Sequence, residues 1–424
     1  MIMRMMRERL KQVVSEALLA RSLLRESAHV ERSEERGHGD YATSVALSLA
    51  KKAGKDPRAL AEEIVAEIRK QEASFIAKVE IAGPGFINFF LKDDVFIKTV
   101  GIILAEKDSY GRNDTLAGKK IMVEYTQPNP FKPFHIGHLM SNAIGESVSR
   151  IIAANGAKVI RANYQGDVGL HVAKAIWGIQ KKGLDPKHVR DLGEAYVYGN
   201  AQYEEDSDAK EEIVAINKHV YAGDDTGVNA IYEAGRKTSL DHFEELYKKL
   251  GTTFDTYFFE SETAEEGKKI VEDHIGTVFE KSDGAIVFPG ERYGLHTRVF
   301  ITSEGIPTYE AKDTGLAARK LREYDPDLSI TVTAVEQKEY FRVVFTAFAL
   351  IEPESKGTFL HLSHGMMQLE SGKMSSRKGN VITGESLITE AEQRAAEKIT
   401  EKDGSGADAL ATEIGVAAIK YQIL

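Results

Sequence analysis

A chain of 424 residues, 42% of them hydrophobic, is long enough to bury a substantial core and to form two to three domains. It contains no cysteine, which excludes disulfides, thiolate zinc sites and cysteine nucleophiles. The formal net charge of −10 excludes a surface coated with basic charge, yet leaves room for a local lysine and arginine groove that binds phosphates.

The opening MIMRMMRERLKQVVSEALL has the pattern of an amphipathic helix and no small-residue cleavage site. Nowhere does an apolar run reach the roughly 18–20 residues needed to span a bilayer, so the expectation is a cytoplasmic protein without a membrane partner. Two helical patterns follow and meet at GKDP, where Asp56 reads as an N-cap and Pro57 as the first helical residue. The strand-like segments KVEIAG and GFINFFL then bracket Gly83-Pro84-Gly85. Residues 1–110 therefore read as a self-contained α+β domain.

From 111 to 385 strands and helices alternate, which predicts an α/β domain with a parallel sheet. KIMVEYT (120–126) reads as a strand, and PNPFKPFHIGHLMSNAIGESVSRIIAANG (128–156) as a prolyl loop and helix. KVIRANY leads through QGDVG into a helix near Leu170. The stretch from about 183 to 280 is highly charged and reads as a helical insertion with a solvated acidic face. The sheet is expected to resume with GAIVF and RVFIT, followed by the helix YEAKDTGLAARKLREY, the strand SITVTAV, the helix QKEYFRVVFTAFAL and the strand GTFLHL. Residues 386–424 read as helical and end without a cap.

Ligands of such a sheet bind beyond the carboxyl ends of its strands, and the candidate motifs fall there. At about 100° per residue, His135 and His138 lie opposite the apolar stripe of their helix and near its positive end. Gly137 admits close approach to the backbone, and unpaired N–H groups there suit an anion. Taken alone, such a histidine pair is usually solvated or capping. Far downstream lies GKMSSRKGN (372–380), which on its own reads as an exposed basic loop.

Together these two stretches resemble the paired signatures of class I aminoacyl-tRNA synthetases, written HIGH and KMSKS. GDYATSVALSLAK and VEIAGPGFINFFL resemble the additional N-terminal domain of the arginyl members. The resemblance implies a Rossmann-like catalytic domain that joins arginine to tRNA(Arg) through an adenylate. ATP enters as its Mg2+ complex, with no tightly bound cofactor, no resident metal and no DNA partner. It also implies that 386–424 begin a helical C-terminal domain that is truncated here; oligomeric state stays open.

The family pattern then assigns residues. His135 and His138 serve the triphosphate from one side, and Lys132 reaches it from the loop. Lys373, Arg377 and Lys378 come from the other side, with Ser375 and Ser376 offering backbone amides between Gly372 and Gly379. The second signature departs from KMSKS at Arg377, and Met140 stands where the family often has arginine, so the cation that meets pyrophosphate is left open. For the amino acid, Asp313 pairs the guanidinium, Tyr309 covers or hydrogen-bonds it, Glu124 and Asn129 hold the α-amino and carboxylate region, and Gln337 closes the pocket. Tyr309 and Asp313, four apart, share one helix face. Phe86 and Asn88 are nominated for an exposed tRNA base, Phe86 being equally readable as core. The loop QGDVGLH resembles the family's terminal adenosine site, although Gly166 and Gly169 also fit plain turns, and Asp167 is the least supported member. The rival readings are a non-catalytic tRNA-binding paralogue, a class I synthetase for another amino acid such as lysine, and a stand-alone nucleotidyltransferase.

Overall fold

The computed structural model describes residues 2–23, 28–365, 383–399 and 407–424. The chain divides into two compact units, Met1–Asn113 and Asp114–Leu424. The signature residues Lys373, Ser375, Ser376, Arg377 and Lys378 lie outside the described residues.

The first unit runs α1 (Ile2–Ala20), β1 (Glu31–Arg32), β2 (Tyr41–Thr43), α2 (Val45–Ala53), α3 (Pro57–Lys70), β3 (Ile76–Ala82), β4 (Phe86–Leu91) and α4 (Asp93–Glu106). Its strands form an antiparallel sheet in the order β1-β2-β4-β3. The start of α3 follows from local chemistry. The Asp56 carboxylate accepts from the amides of Arg58 and Ala59, and Pro57 supplies a preset φ without losing a needed N–H. The apolar faces of α1, α2 and α3 cover Ile87, Phe89 and Leu91 of the sheet in one buried cluster. Helix α4 had no counterpart in the sequence reading.

The second unit continues with β5 (Lys120–Glu124), α5 (Ile136–Ala154), β6 (Lys158–Gln165), α6 (Leu170–Lys182), α7 (Val189–Glu205), α8 (Ser207–Ala222), α9 (Thr226–Lys249), β7 (Thr256–Phe259) and α10 (Glu260–Asp273). Next come β8 (Glu280–Ser282), β9 (Ala285–Phe288), β10 (Arg298–Ile301), α11 (Tyr309–Tyr324), β11 (Leu328–Ala334), α12 (Lys338–Ile351), β12 (Phe359–His364), α13 (Gly384–Lys398) and α14 (Ala407–Ile423). The main sheet is parallel and five-stranded, ordered β12-β11-β5-β6-β7. The chain moves outward from β5 to β7, then returns to lay β11 and β12 on the other side of β5. Strand order thus reverses between β5 and β11, and the loops leaving these two strands part there to open a crevice.

Two expectations need correction. GAIVF and RVFIT do not rejoin the parallel sheet; they form β9 and β10 of a separate three-stranded antiparallel sheet, ordered β10-β9-β8. The cause is a two-residue Asp283-Gly284 turn with φ of 48° and 81°, which folds β8 directly back on β9. The charged stretch is also not helical throughout, because Thr256–Phe259 forms the edge strand β7 of the main sheet.

Helices α10 and α11 cross closely through glycines. A Cβ on Gly267 would stand 1.9 Å from the Ala311 carbonyl oxygen, and one on Gly315 2.4 Å from that of Thr263. Backbone contact at this crossing fixes α11 beside the start of α10. Among the described residues, no helix is long and apolar enough to cross a membrane.

Candidate active site

The crevice is a cavity of about 500 Å³. Its lining brings together Glu124, Asn129, His135, Gly137, His138, Tyr309, Asp313 and Gln337, contributed by the ends of β5 and β11, the start of α5 and one face of α11. The loop after β5 is held in unusual backbone conformations, with Thr126 at φ 79° and Gln127 at φ 50°. A β-branched residue there is a true outlier and needs support. Ser141 Oγ accepts from the Thr126 amide at 3.0 Å, and Asn142 Nδ2 donates to the Thr126 hydroxyl at 3.0 Å.

His135 is the N-cap of α5. Its Nδ1 accepts from the His138 amide at 3.4 Å, while His138 Nδ1 accepts from the His135 amide at 3.2 Å. The histidine pair thus caps its own helix. Both Nδ1 atoms are acceptors, so the proton of each neutral ring sits on Nε2. The rings stack with centroids 3.5 Å apart. Burial pushes His135 down to about 4, with the Lys132 charge adding to the push, and burial drives His138 well below the usual histidine range. Near neutral pH the start of α5 thus presents two uncharged Nε2–H donors beside its own unpaired amides.

The opposite wall is charged. Asp313 accepts from the Tyr340 hydroxyl at 2.6 Å. Burial pushes its carboxyl up to about 8 against that hydrogen bond, and the Glu124 and Glu260 carboxylates add to the push. Glu124 is buried, paired with Lys320, and accepts from Gln127 Nε2 at 2.6 Å. Glu260 pairs with Lys312 at 2.6 Å, both buried. Burial raises the Glu260 carboxyl, whereas Lys312, whose charge burial opposes, is held above the usual ammonium range by Glu260. A further sector of the wall is aromatic, formed by Phe341, Phe345 and Phe359, with the Phe345 and Phe359 ring centroids 5.6 Å apart.

Lys132 does not line this cavity; its ammonium lies 5.1 Å from the Tyr196 ring centroid. Asp167 is fully buried and turned away from the crevice, accepting from the amide and hydroxyl of Ser261 at 2.9 and 2.8 Å and from Arg236 at 2.8 Å. Gly166 is required by close approach, since a Cβ there would meet Asn129 Oδ1 at 2.4 Å and Glu260 Oε1 at 2.9 Å. Gly169, at φ 122°, caps α6. Met140 is buried within α5. In the first unit Phe86 is 40% exposed but Asn88 only 4%, so the two do not form an exposed pair. Asn88 sits on the central strand β4, between Ala42 and Glu80, buried on the face of the strand opposite Ile87 and Phe89.

Sequence reasoning missed Glu260, Lys312, Lys320 and Tyr340. A signal existed for the lysines. Positions 309, 312, 313, 316, 317 and 320 recur at helical spacing and form one face of α11, which a reading of lysine as solvent-facing passes over.

Residues 99–424 match the family model described as tRNA synthetases class I (R), catalytic domain, and residues 5–91 match that of the arginyl tRNA synthetase N terminal domain. The arginine–tRNA ligase of Lactobacillus delbrueckii subsp. bulgaricus is 32% identical over 98% of this chain and 74% of its own length. That of Treponema pallidum subsp. pallidum is 30% identical over 93% and 69%. Among solved structures, the fold resembles Thermus thermophilus arginyl-tRNA synthetase with a TM-score of 0.69 at 23% identity, covering 99% of this chain and 75% of that one. The Plasmodium falciparum arginyl-tRNA synthetase gives 0.69 at 19%, covering 98% and 74%. Sheet order, crevice and histidine-capped helix are thus those of a class I aminoacyl-tRNA synthetase. Within that class, the chain belongs to the arginyl-tRNA synthetase family.

Proposed function

We propose that this chain is an arginine–tRNA ligase that activates arginine in the crevice between β5 and β11. The observation that carries the reading is the sharing of one cavity by the Nε2–H donors of α5 and the acidic face of α11. The arginine carboxylate attacks the α-phosphate of ATP, forming the mixed anhydride and releasing pyrophosphate. A terminal ribose hydroxyl of tRNA(Arg) then attacks the arginyl carbonyl, giving the ester and AMP. No protein nucleophile is needed.

His135 and His138 donate to phosphate oxygens as negative charge develops on them, without a charged imidazole having to be buried first. Lys373, Arg377 and Lys378, with the amides of Ser375 and Ser376, are assigned to the departing pyrophosphate, and Lys132 to the outer phosphates. Mg2+ arrives with the nucleotide. The aromatic sector supplies a flat apolar surface for the purine.

Asp313 takes the guanidinium, Tyr309 covers its face, and Gln337 closes the pocket. Glu124 and Asn129 hold the other end of arginine. Glu124 and Glu260 are paired with lysines, whereas Asp313 accepts from the Tyr340 hydroxyl. A guanidinium would supply Asp313 with a cationic partner. A lysine side chain would bring the charge but not the fork, leaving acceptors unpaired. In the first unit, Phe86 is assigned to an unpaired tRNA base. Calorimetric titration with arginine and with lysine tests the pocket: arginine should bind at least a hundredfold more tightly, whereas equal affinities would reject the guanidinium site.

A further inference from the structure

The loop bearing the histidines is fastened to the first turn of α13. The Gly384 amide donates to the Phe134 carbonyl at 2.8 Å, and Thr383 pairs with His135 in an isolated antiparallel bridge. A Cβ on Gly384 would fall 2.9 Å from the Phe134 ring and 3.1 Å from the His135 carbonyl oxygen, so glycine is what lets the two backbones close. The same turn is tied to α9, where Glu385 pairs with His242 Nε2 at 3.0 Å.

Phe134 carries this contact inward. It is buried in one cluster with Leu139, Phe243 and Ile388, and its ring centroid lies 5.4 Å from that of His138. The reciprocal hydrogen bonds that cap α5 are long, at 3.2 and 3.4 Å, and restrain the imidazoles only weakly. Ring placement therefore depends on packing, and Phe134 is a packing neighbour held from outside by α13. None of these α13 residues lines the crevice.

We propose that the first turn of α13 is a positioning clamp for the crevice histidines, with Gly384 acting through Phe134 and Glu385 anchoring the turn to α9 through His242. The inference rests on the phosphate role assigned to His135 and His138. It assigns no contact with substrate to α13; it makes α13 the element that sets where the two Nε2–H donors stand. Displacements well under 1 Å in such donors are enough to slow a reaction, whereas binding at the far end of the pocket is untouched.

The test uses the full chain carrying Gly384→Ala, Glu385→Gln or His138→Ala, assayed by arginine-dependent pyrophosphate exchange with tRNA present and by calorimetric arginine binding. Gly384→Ala should lower kcat on the order of tenfold with arginine Kd unchanged. Phe134→Leu, which removes the ring packed on His138, should by itself lower kcat with arginine Kd unchanged, and the double variant should be little slower than the slower single one, because both changes act through the same contact. Glu385→Gln should give a smaller fall in kcat alone. Wild-type kcat in a folded Gly384→Ala protein overturns the clamp. So does a parallel loss of kcat and arginine affinity. If Gly384→Ala does not fold, Glu385→Gln decides: a fall in kcat alone supports the clamp and an unchanged kcat overturns it. His138→Ala separates the two layers, because an unchanged rate in that variant removes the phosphate role and the clamp together. A slow His138→Ala beside a normal Gly384→Ala removes the clamp only.

Discussion

Replacing Asp313 by asparagine keeps the shape of the pocket and removes the carboxyl group that pairs with the guanidinium. In the wild type the Tyr340 hydroxyl donates to this carboxyl at 2.6 Å, and burial pushes it up to about 8. A charge-assisted pair in so enclosed a site contributes about 3 kcal/mol, so the KM for arginine should rise roughly a hundredfold while that for ATP stays put. The raised value adds a second signature. In the free site only roughly a tenth of Asp313 is ionised at pH 7, yet the guanidinium pairs with the ionised form, so arginine binding expels a proton. Apparent affinity should then rise about tenfold between pH 7 and full ionisation, and this slope should vanish in Asp313→Asn. The assay is the arginine KM in pyrophosphate exchange from about pH 6.5 to 8.0 at saturating ATP, where the amino group of free arginine stays mostly protonated. Calorimetry in two buffers of different ionisation enthalpy counts the released proton. An equal rise in both KM values, or a pH slope that survives in the asparagine variant, would refute the assignment.

Three further outcomes are expected. His138→Ala removes one Nε2–H donor and should slow pyrophosphate exchange by about a hundredfold without weakening arginine binding, as single-turnover and titration data would show. Lys320→Met strands the buried Glu124 carboxylate and should cost roughly 3–5 kcal/mol in denaturant unfolding; adding Glu124→Gln should recover most of that stability while the arginine KM remains high. Phe86→Ala removes an exposed stacking surface and should raise the KM for tRNA about tenfold, with arginine and ATP kinetics in exchange unaffected.

The parts of the fold that could be read in advance are those where local chemistry decides. Asp56 and Pro57 announce the start of α3, and the apolar spacing from Ile136 to Ile152 announces α5 whatever surrounds it. Strand β7 was lost because four residues after a long charged helical stretch carry too little pattern of their own; its place at the sheet edge is fixed by pairing with β6. The hairpin of β8 and β9 carried a local sign, Asp283-Gly284, that went unused in favour of continuing the parallel sheet.

At the site, Glu124, Asn129, Tyr309, Asp313 and Gln337 came from motif resemblance and share the cavity. The buried lysines did not, since a lysine in a helix is ordinarily solvated, and only the facing carboxylates of Glu124 and Glu260 make burial tolerable. Asn88 was nominated with Phe86 by the resemblance, and the two share one face of β4. Asn88 lies at the middle of the sheet between Ala42 and Glu80 and is buried, whereas Phe86 at the start of the strand is exposed.

The measurement that bears most directly on the whole account is arginine-dependent exchange of labelled pyrophosphate into ATP, run with and without tRNA and with lysine in place of arginine. Exchange with arginine and tRNA, and none with lysine, is the predicted result. No exchange under any of these conditions, from a protein that binds arginine no better than lysine, would contradict it.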